Sequence, residues 1–504
     1  MSMGRRPTEQ QPDLWVPTTE LPRSPGHAFY DKLNHLLDEA GFDRHVEDLC
    51  QPHYADSVGR ESIPPGVYFR MLLVGYFEAL DSQRGIAWRC ADSLSLRAFL
   101  GVPLNEATPD HSSLTKIRQR LPLEVHQQVF VFVLRLARDK GLLRGKTVAV
   151  DATTLEANAA MKTIARKDTG EDWKEYLKRL LAEQGVDNPT DEEVRRFDKN
   201  RPKKVSNQEW ESPTDPDSRI AKMKDGTTHL AYKAEHVVDL DSEFVLAATV
   251  HPADQADSAT LVDSILSAQV NLVLAGSDQE IEEAVADKGY HKAQTLAECE
   301  EWDTRTYIPE PKRKKAKWEG KPASWRKATM ANRRRVKGAR GKRLQKKRSE
   351  LVERSFAHVC ETGAGRRAWL RGQENVSKRY AVQVAAHNLA LLMRKLFGVG
   401  KPRSLQGSGG PSGLPGCSIG CLAAGLAPAV ADAPAPRRHN GLTPAGRRRS
   451  ENALFQRAAR CVRKSGVPAR WEKFLPQVAQ RRQRMPRCLL DQPWGRRLPW
   501  PFWP

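Results

Sequence analysis

Thr147-Val148-Ala149-Val150-Asp151-Ala152-Thr153-Thr154 is the stretch on which the fold turns. Apolar and β-branched residues lead up to Asp151, and small or hydroxyl residues follow it. That pattern predicts a short buried strand with one carboxylate at its end. An acid at the mouth of a buried strand is held rigidly, so it is suited to bind a metal or act on a substrate. The question for the rest of the chain is which other groups reach Asp151.

Downstream, residues 228–239 and 244–250 flank the turn Asp239-Leu240-Asp241-Ser242 and predict a hairpin. Residues 259–269 form an amphipathic helix. Residues 281–287 read as a short strand ending in a second acid, Asp287, followed by the turn Lys288-Gly289-Tyr290-His291, a helix over 292–301 and a last strand over 304–309. Strands and helices in this order make a mixed sheet with helices on its faces, an α/β arrangement. Neighbouring strands lie about 4.8 Å apart, so Asp151 and Asp287 can reach one metal pair if their strands adjoin.

A third acid follows in the helical segment 348–359. Leu351, Val352, Ser355, Phe356 and Val359 form one face; Glu353 lies beside it, with Glu350 as a competing candidate. Transfer at a phosphodiester requires both the attacking and the leaving oxygen to be stabilised. Two divalent cations about 3.5–4 Å apart do this, and carboxylates are the hard ligands that hold Mg²⁺. Any one acid alone is ordinarily a surface residue; the joint placement on strand, strand and helix points to Asp151, Asp287 and Glu353.

Charge supports a polyanionic partner. The 504-residue chain carries a formal net charge of +21. Residues 312–348 hold 18 Lys+Arg and one acid, Glu319, with Trp318 and Trp325 among them. Such a run is ordinarily solvated, but its place just before Glu353 favours nucleic acid, whose binding is strongly salt-dependent. The eight cysteines are scattered, without a CxxC pair, which speaks against a zinc ribbon or a disulfide framework and for a reducing cytosol. Residues 1–26 read as a flexible arm without an apolar signal core, and no run approaches the ~20 apolar residues of a membrane span.

Residues 27–140 read as a helical domain. Its last short helix follows Thr108-Pro109-Asp110, with Asp110 or Ser112 as cap and Lys116, Arg118 and Arg120 on the side expected to face solvent. This resembles a helix-turn-helix DNA reader; a helical packing domain is the alternative. Residues 141–400 form the α/β domain, with a charged insertion at about 160–225. His387-Asn388 interrupts the apolar helix 377–397 and reads as a buried, satisfied polar pair. Residues 401–504, rich in Gly, Pro, Ala and Arg, do not support a packed core and read as disordered or as an altered reading frame.

The blocks VAVDATT, VADKGYH and ELVERSF resemble the three signature blocks of DDE-type transposases of bacterial insertion sequences, of the IS-five-like group with an InsH-like N-terminal domain. VSKRYAVQVAAHNLALLMRKL is similar to that family's closing helix. The resemblance covers roughly residues 30–400 and is specific in its combination. It implies a ribonuclease-H-like catalytic fold, with Asp151, Asp287 and Glu353 as catalytic metal ligands. It further implies Mg²⁺, with Mn²⁺ as the alternative, and a double-stranded DNA substrate comprising terminal inverted repeats and a target. A homodimer on DNA in the bacterial cytoplasm and nucleoid, with no membrane, completes the expectation. Lys288, Tyr290 and Arg348 are the expected DNA or site-shaping contacts beside the acids. The chain departs from many relatives in having Arg348 five residues before Glu353 and Cys360, no base, seven after it. Two other readings stand beside an active transposase: a DNA-binding derivative without turnover, and a related nuclease without strand transfer.

Overall fold

The decisive stretch is a strand in the computed structural model, which describes residues 27–55, 62–200, 205–223, 226–311 and 318–402. The arm 1–26, the tail from 403 and residues 312–317 of the basic run lie outside these. Strand β1 (Thr147–Glu156) runs two residues past the expected end. Before it come seven helices: α1 (Ala28–Glu39), α2 (Phe42–Cys50), α3 (Pro65–Phe77), α4 (Gln83–Asp92), α5 (Leu94–Leu100), α6 (His111–Arg120) and α7 (Leu123–Asp139). After it, the insertion contains a small ladder, β2 (Ala165–Arg166) with β3 (Trp210–Glu211), and a helix pair, α8 (Trp173–Ala182) and α9 (Asp191–Asn200). Leu177, Leu181 and Val194 give that pair a core of its own.

The remaining elements are β4 (Arg219–Lys222), β5 (Thr228–Asp239), β6 (Val245–Pro252), α10 (Asp257–Leu274), β7 (Glu283–Ala286), α11 (Ala293–Glu301), β8 (Arg305–Tyr307), α12 (Ala323–Lys337), α13 (Ala339–Phe356) and α14 (Gln373–Phe397). The six-stranded sheet has the order β4-β5-β1-β7-β8, with β6 also on β5. Strand β5 is long enough to take β4 along residues 228–231 and β6 along 232–238 on its outer side. The pairs β1–β5 and β5–β6 are antiparallel, whereas β1–β7 and β7–β8 are parallel. Three antiparallel strands continued by two parallel ones, with helices on both faces, form a ribonuclease-H-like α/β fold.

An asparagine caps a residue at each side of the sheet, Val245 of β6 and Ile308 just after β8. Asn388 of α14 accepts from Val245 N at 3.0 Å and donates to Val245 O at 2.8 Å. Asn332 of α12 does the same at Ile308, at 3.0 and 2.7 Å. Each amide takes the place of a neighbouring strand, so buried edge groups are not left unpaired. Asn388 thus has the structural role that the sequence suggests, and His387 beside it is buried against the Tyr76 hydroxyl.

The helices before β1 pack on α14, and one apolar cluster runs from Phe29 to Met393. Helix α14 is buried nearly all round from Val376 to Met393, which is why its sequence lacks a polar face. Cys50, Cys90, Cys299 and Cys360 are buried and free. Among the described residues, no helix is long and apolar enough to cross a membrane. The basic run beyond residue 318 is not a loose strip: it forms α12 and α13, whose uncharged residues Ala328, Thr329, Asn332, Gly341 and Leu344 are buried.

Candidate active site

The sheet register brings the first two acids together. Val150 of β1 pairs with Ala286 of β7 in parallel, so Asp151 and Asp287 are the next residues on adjoining strands. Asp151 Oδ1 accepts from Ala152 N at 2.8 Å, and Asp287 Oδ1 accepts from Gly289 N at 2.7 Å as the cap of a short 3₁₀ turn, Lys288–Tyr290. Burial raises the pKa of Asp151, Arg348 opposes that, and the charge of Asp287 adds to it. Two carboxylates that repel in a half-buried cleft are a donor set that a divalent cation relieves.

The third acid is elsewhere. Glu353 is exposed on α13, and the residue of that helix on Asp151 is Arg348, whose Nη1 lies 2.5 Å from Oδ2. Five residues of helix separate Arg348 and Glu353 by about 140° around the axis, so both cannot face one point. Among the described residues, no group of three His, Cys, Asp or Glu side chains is arranged to hold a metal. In this conformation Asp151 is paired with a guanidinium, not with a third carboxylate. Glu350, the competing acid, is also exposed and pairs with Arg354.

Helix α13 is fastened over the parallel edge. Gln345 donates to Ala286 O at 3.1 Å and to Tyr307 O at 2.6 Å, holding the helix against the ends of β7 and β8. Its Oε1 accepts from Arg348 Nε at 3.3 Å, which helps aim Arg348 at Asp151. One turn earlier, Arg340 pairs with Glu283, which also accepts from Tyr307 and Thr147. Burial alone raises the Glu283 pKa, but these donors outweigh it and bring it down to about 2.

His236 sits directly across from Asp151 on β5 and ties the other end of α13 down. Its Nδ1 lies 2.9 Å from Ser355 Oγ and its Nε2 2.7 Å from the Tyr380 hydroxyl, while Phe356 stacks on the ring. Ser355 gives its own proton to Val352 O, so the network assigns the proton to His236 Nδ1. Burial pushes the His236 pKa down to about 3, so the ring is neutral and structural.

On the opposite face, Glu235 and Lys233 meet α10. Lys233 Nζ contacts Gln255 O, Asp257 and Thr260, and Thr260 donates to Glu235 at 2.6 Å. The Tyr290 hydroxyl is fully buried and has no hydrogen-bond partner among the described residues, within the field of Glu235, Asp257, Asp151 and Asp287. Tyr290 is therefore not a DNA contact: the turn after Asp287 drives its ring beneath the site.

Arg118, expected on the solvent side of α6, is buried. Leu114, Ile117, Arg118 and Leu121 repeat at helical spacing, so Arg118 shares the buried stripe of α6 and cannot face DNA. The spacing already contained that answer. Lys116 and Arg120 are exposed, with Arg120 over the Tyr54 ring, and Lys288 is exposed beside Asp287. Sequence reading missed Arg366, which donates to Thr153 Oγ1 at 3.1 Å and Thr154 O at 2.9 Å. A β-bridge between Glu156 and Arg367 brings it there, and no local motif marks such a contact.

Comparison with known families agrees with this architecture. Residues 144–389 match the model "Transposase DDE domain", spanning β1 to α14 and all three candidate acids. Residues 19–120 match "Transposase domain (DUF772)", which covers the N-terminal helices as far as α6. No match was found among curated proteins. A ribonuclease-H-like sheet with paired acids, preceded by a transposase-type helical segment, places this chain in the family of DDE-type insertion-sequence transposases.

Proposed function

We propose that this transposase cuts DNA at the terminal inverted repeats of an insertion sequence and joins the freed 3′-OH to a target. Asp151 and Asp287 hold divalent metal, Mg²⁺ or Mn²⁺, with Glu353 as the third ligand. The register that sets Asp151 beside Asp287 is the observation that carries this reading. Bound divalent cations supply Lewis-acid stabilisation of the attacking and leaving oxygens. The protein's own part is positional. Gly289 N–H fixes one Asp287 oxygen, and Ala152 N–H fixes one of Asp151. Arg348 and Lys288 offer positive charge where a phosphate approaches the pair. Lys116 and Arg120 on α6 contact the repeats, and two protomers synapse the two ends in the cytoplasm, at the nucleoid.

The test is Mg²⁺-dependent cleavage of terminal-repeat DNA by wild type, Asp151→Asn, Asp287→Asn and Glu353→Gln. Cleavage by wild type alone, with repeat binding intact in all four, is the expected result. Equal cleavage by the Asp151 and Asp287 variants would end the catalytic assignment, and full activity of Glu353→Gln would remove the third ligand. Joined products distinguish transposition from simple nuclease action. The Arg348–Asp151 pair and the outward Glu353 favour one second reading, a DNA-binding derivative without turnover. Intact repeat binding with no wild-type cleavage identifies it.

A further inference from the structure

Folding divides the basic run into charges that serve the protein and charges that do not. Arg333 pairs with Glu310, Arg335 with Glu300, Arg340 with Glu283, Lys347 with Asp241 and Arg348 with Asp151. Lys342 and Lys346 of α13 are exposed and enter no ion pair among the described residues. They are four positions apart, so they project from one side of the helix about 6 Å apart along its axis. Ser349 and Glu353 continue the same stripe, within about 60° of arc. Arg348 and Gln345 lie on a different, inward side, bonded to Asp151 and to the ends of β7 and β8.

We propose that the Lys342–Lys346 stripe is a phosphate-binding track that carries the backbone of duplex DNA past the Asp151–Asp287 pair. Two like charges one turn apart repel and give the helix nothing, whereas a polyanion laid along them neutralises both. Gln345, between the two lysines in sequence, fixes this part of α13 to Ala286, the residue before Asp287. The track therefore has a set position relative to the acids. Lysine is a flexible point charge, suited to phosphate and not to reading bases, so the contact is the same for every sequence. The inference rests on the proposed DNA-cutting function.

The test is DNA binding by fluorescence anisotropy across a salt series, on random-sequence and terminal-repeat duplexes. Wild type is compared with Lys342→Ala/Lys346→Ala and with a charge-matched control, Lys162→Ala/Lys178→Ala, at two exposed sites away from α13. Removing two phosphate contacts lowers the slope of log K against log salt by about 1.8. The expected result is that loss on both duplexes for the α13 pair, wild-type slope for the control, and recovery with Lys342→Arg/Lys346→Arg. An unchanged slope in the α13 pair, or an equal loss in the control, overturns the track and leaves the transposase reading intact. Absence of any duplex binding by wild type overturns both.

Discussion

Arg348 Nη1 lies 2.5 Å from Asp151 Oδ2, so the first acid of the site is held by a cation from the same helix that carries Glu353. An arginine in this place competes with a metal for the same oxygen. Arg348→Gln should therefore bind Mn²⁺ about tenfold more tightly, the equivalent of one charge-assisted bond of roughly 1.5 kcal/mol. Titration calorimetry in the absence of DNA measures this. Weaker binding in the variant would show that Arg348 orders Asp151 for the metal and does not compete with it.

Gly289 packs directly against two carboxylates. A Cβ there would lie 2.9 Å from Asp257 Oδ2 and 3.0 Å from Asp287 Oδ1. Gly289→Ala should push the Asp287 carboxylate aside while leaving the turn folded. A displacement of this kind costs on the order of 10²-fold in rate. The prediction is a large loss of DNA cleavage with a melting temperature within about 3 °C of wild type. Wild-type cleavage by this variant would mean that the Asp287 position is not critical.

Glu235 gives a pH signature. Burial raises its pKa to about 7, against the partial relief from Thr260 and Lys233. A raised carboxyl binds its proton more tightly in the folded state, so its contribution to stability falls as pH rises from about 4.5 through about 7. Glu235→Gln removes that dependence. The variant should melt higher than wild type at pH 8, and the difference should close by pH 5. A pH-independent difference in scanning calorimetry would assign the effect to packing.

The two edge asparagines should behave alike. Truncating Asn388 or Asn332 to Ala leaves a buried N–H and a buried C=O without partners, at Val245 or at Ile308. Each should cost about 2–4 kcal/mol in urea unfolding, since an unsatisfied buried group costs roughly 1–3 kcal/mol. Asp should not rescue either site, because it lacks the N–H donor that the carbonyl needs. A loss below about 0.5 kcal/mol would indicate that water replaces the amide.

Local pattern was enough for much of this protein. The run into Asp151 predicts β1, the runs 228–239 and 244–250 about the turn at 239–242 predict the β5–β6 hairpin, and Asp287 ends a short apolar strand. The three motif blocks add the family. These features are legible because strand burial and turn chemistry are written in neighbouring residues. Arg118 was legible too, through its spacing from Leu114, Ile117 and Leu121, once that spacing is weighed above its charge. Long-range relationships belong to the tertiary structure. Sheet order makes Asp151 and Asp287 neighbours across 136 positions. Helix phase gives Asp151 to Arg348 and turns Glu353 outward with Lys342 and Lys346. Strand bridging brings Arg366 to Thr153, and the turn at Gly289 buries Tyr290. Residue order sets which chemical groups are present and which elements carry them. Which groups face one another follows from register and helix rotation, and a shift of one residue in either would exchange the partners.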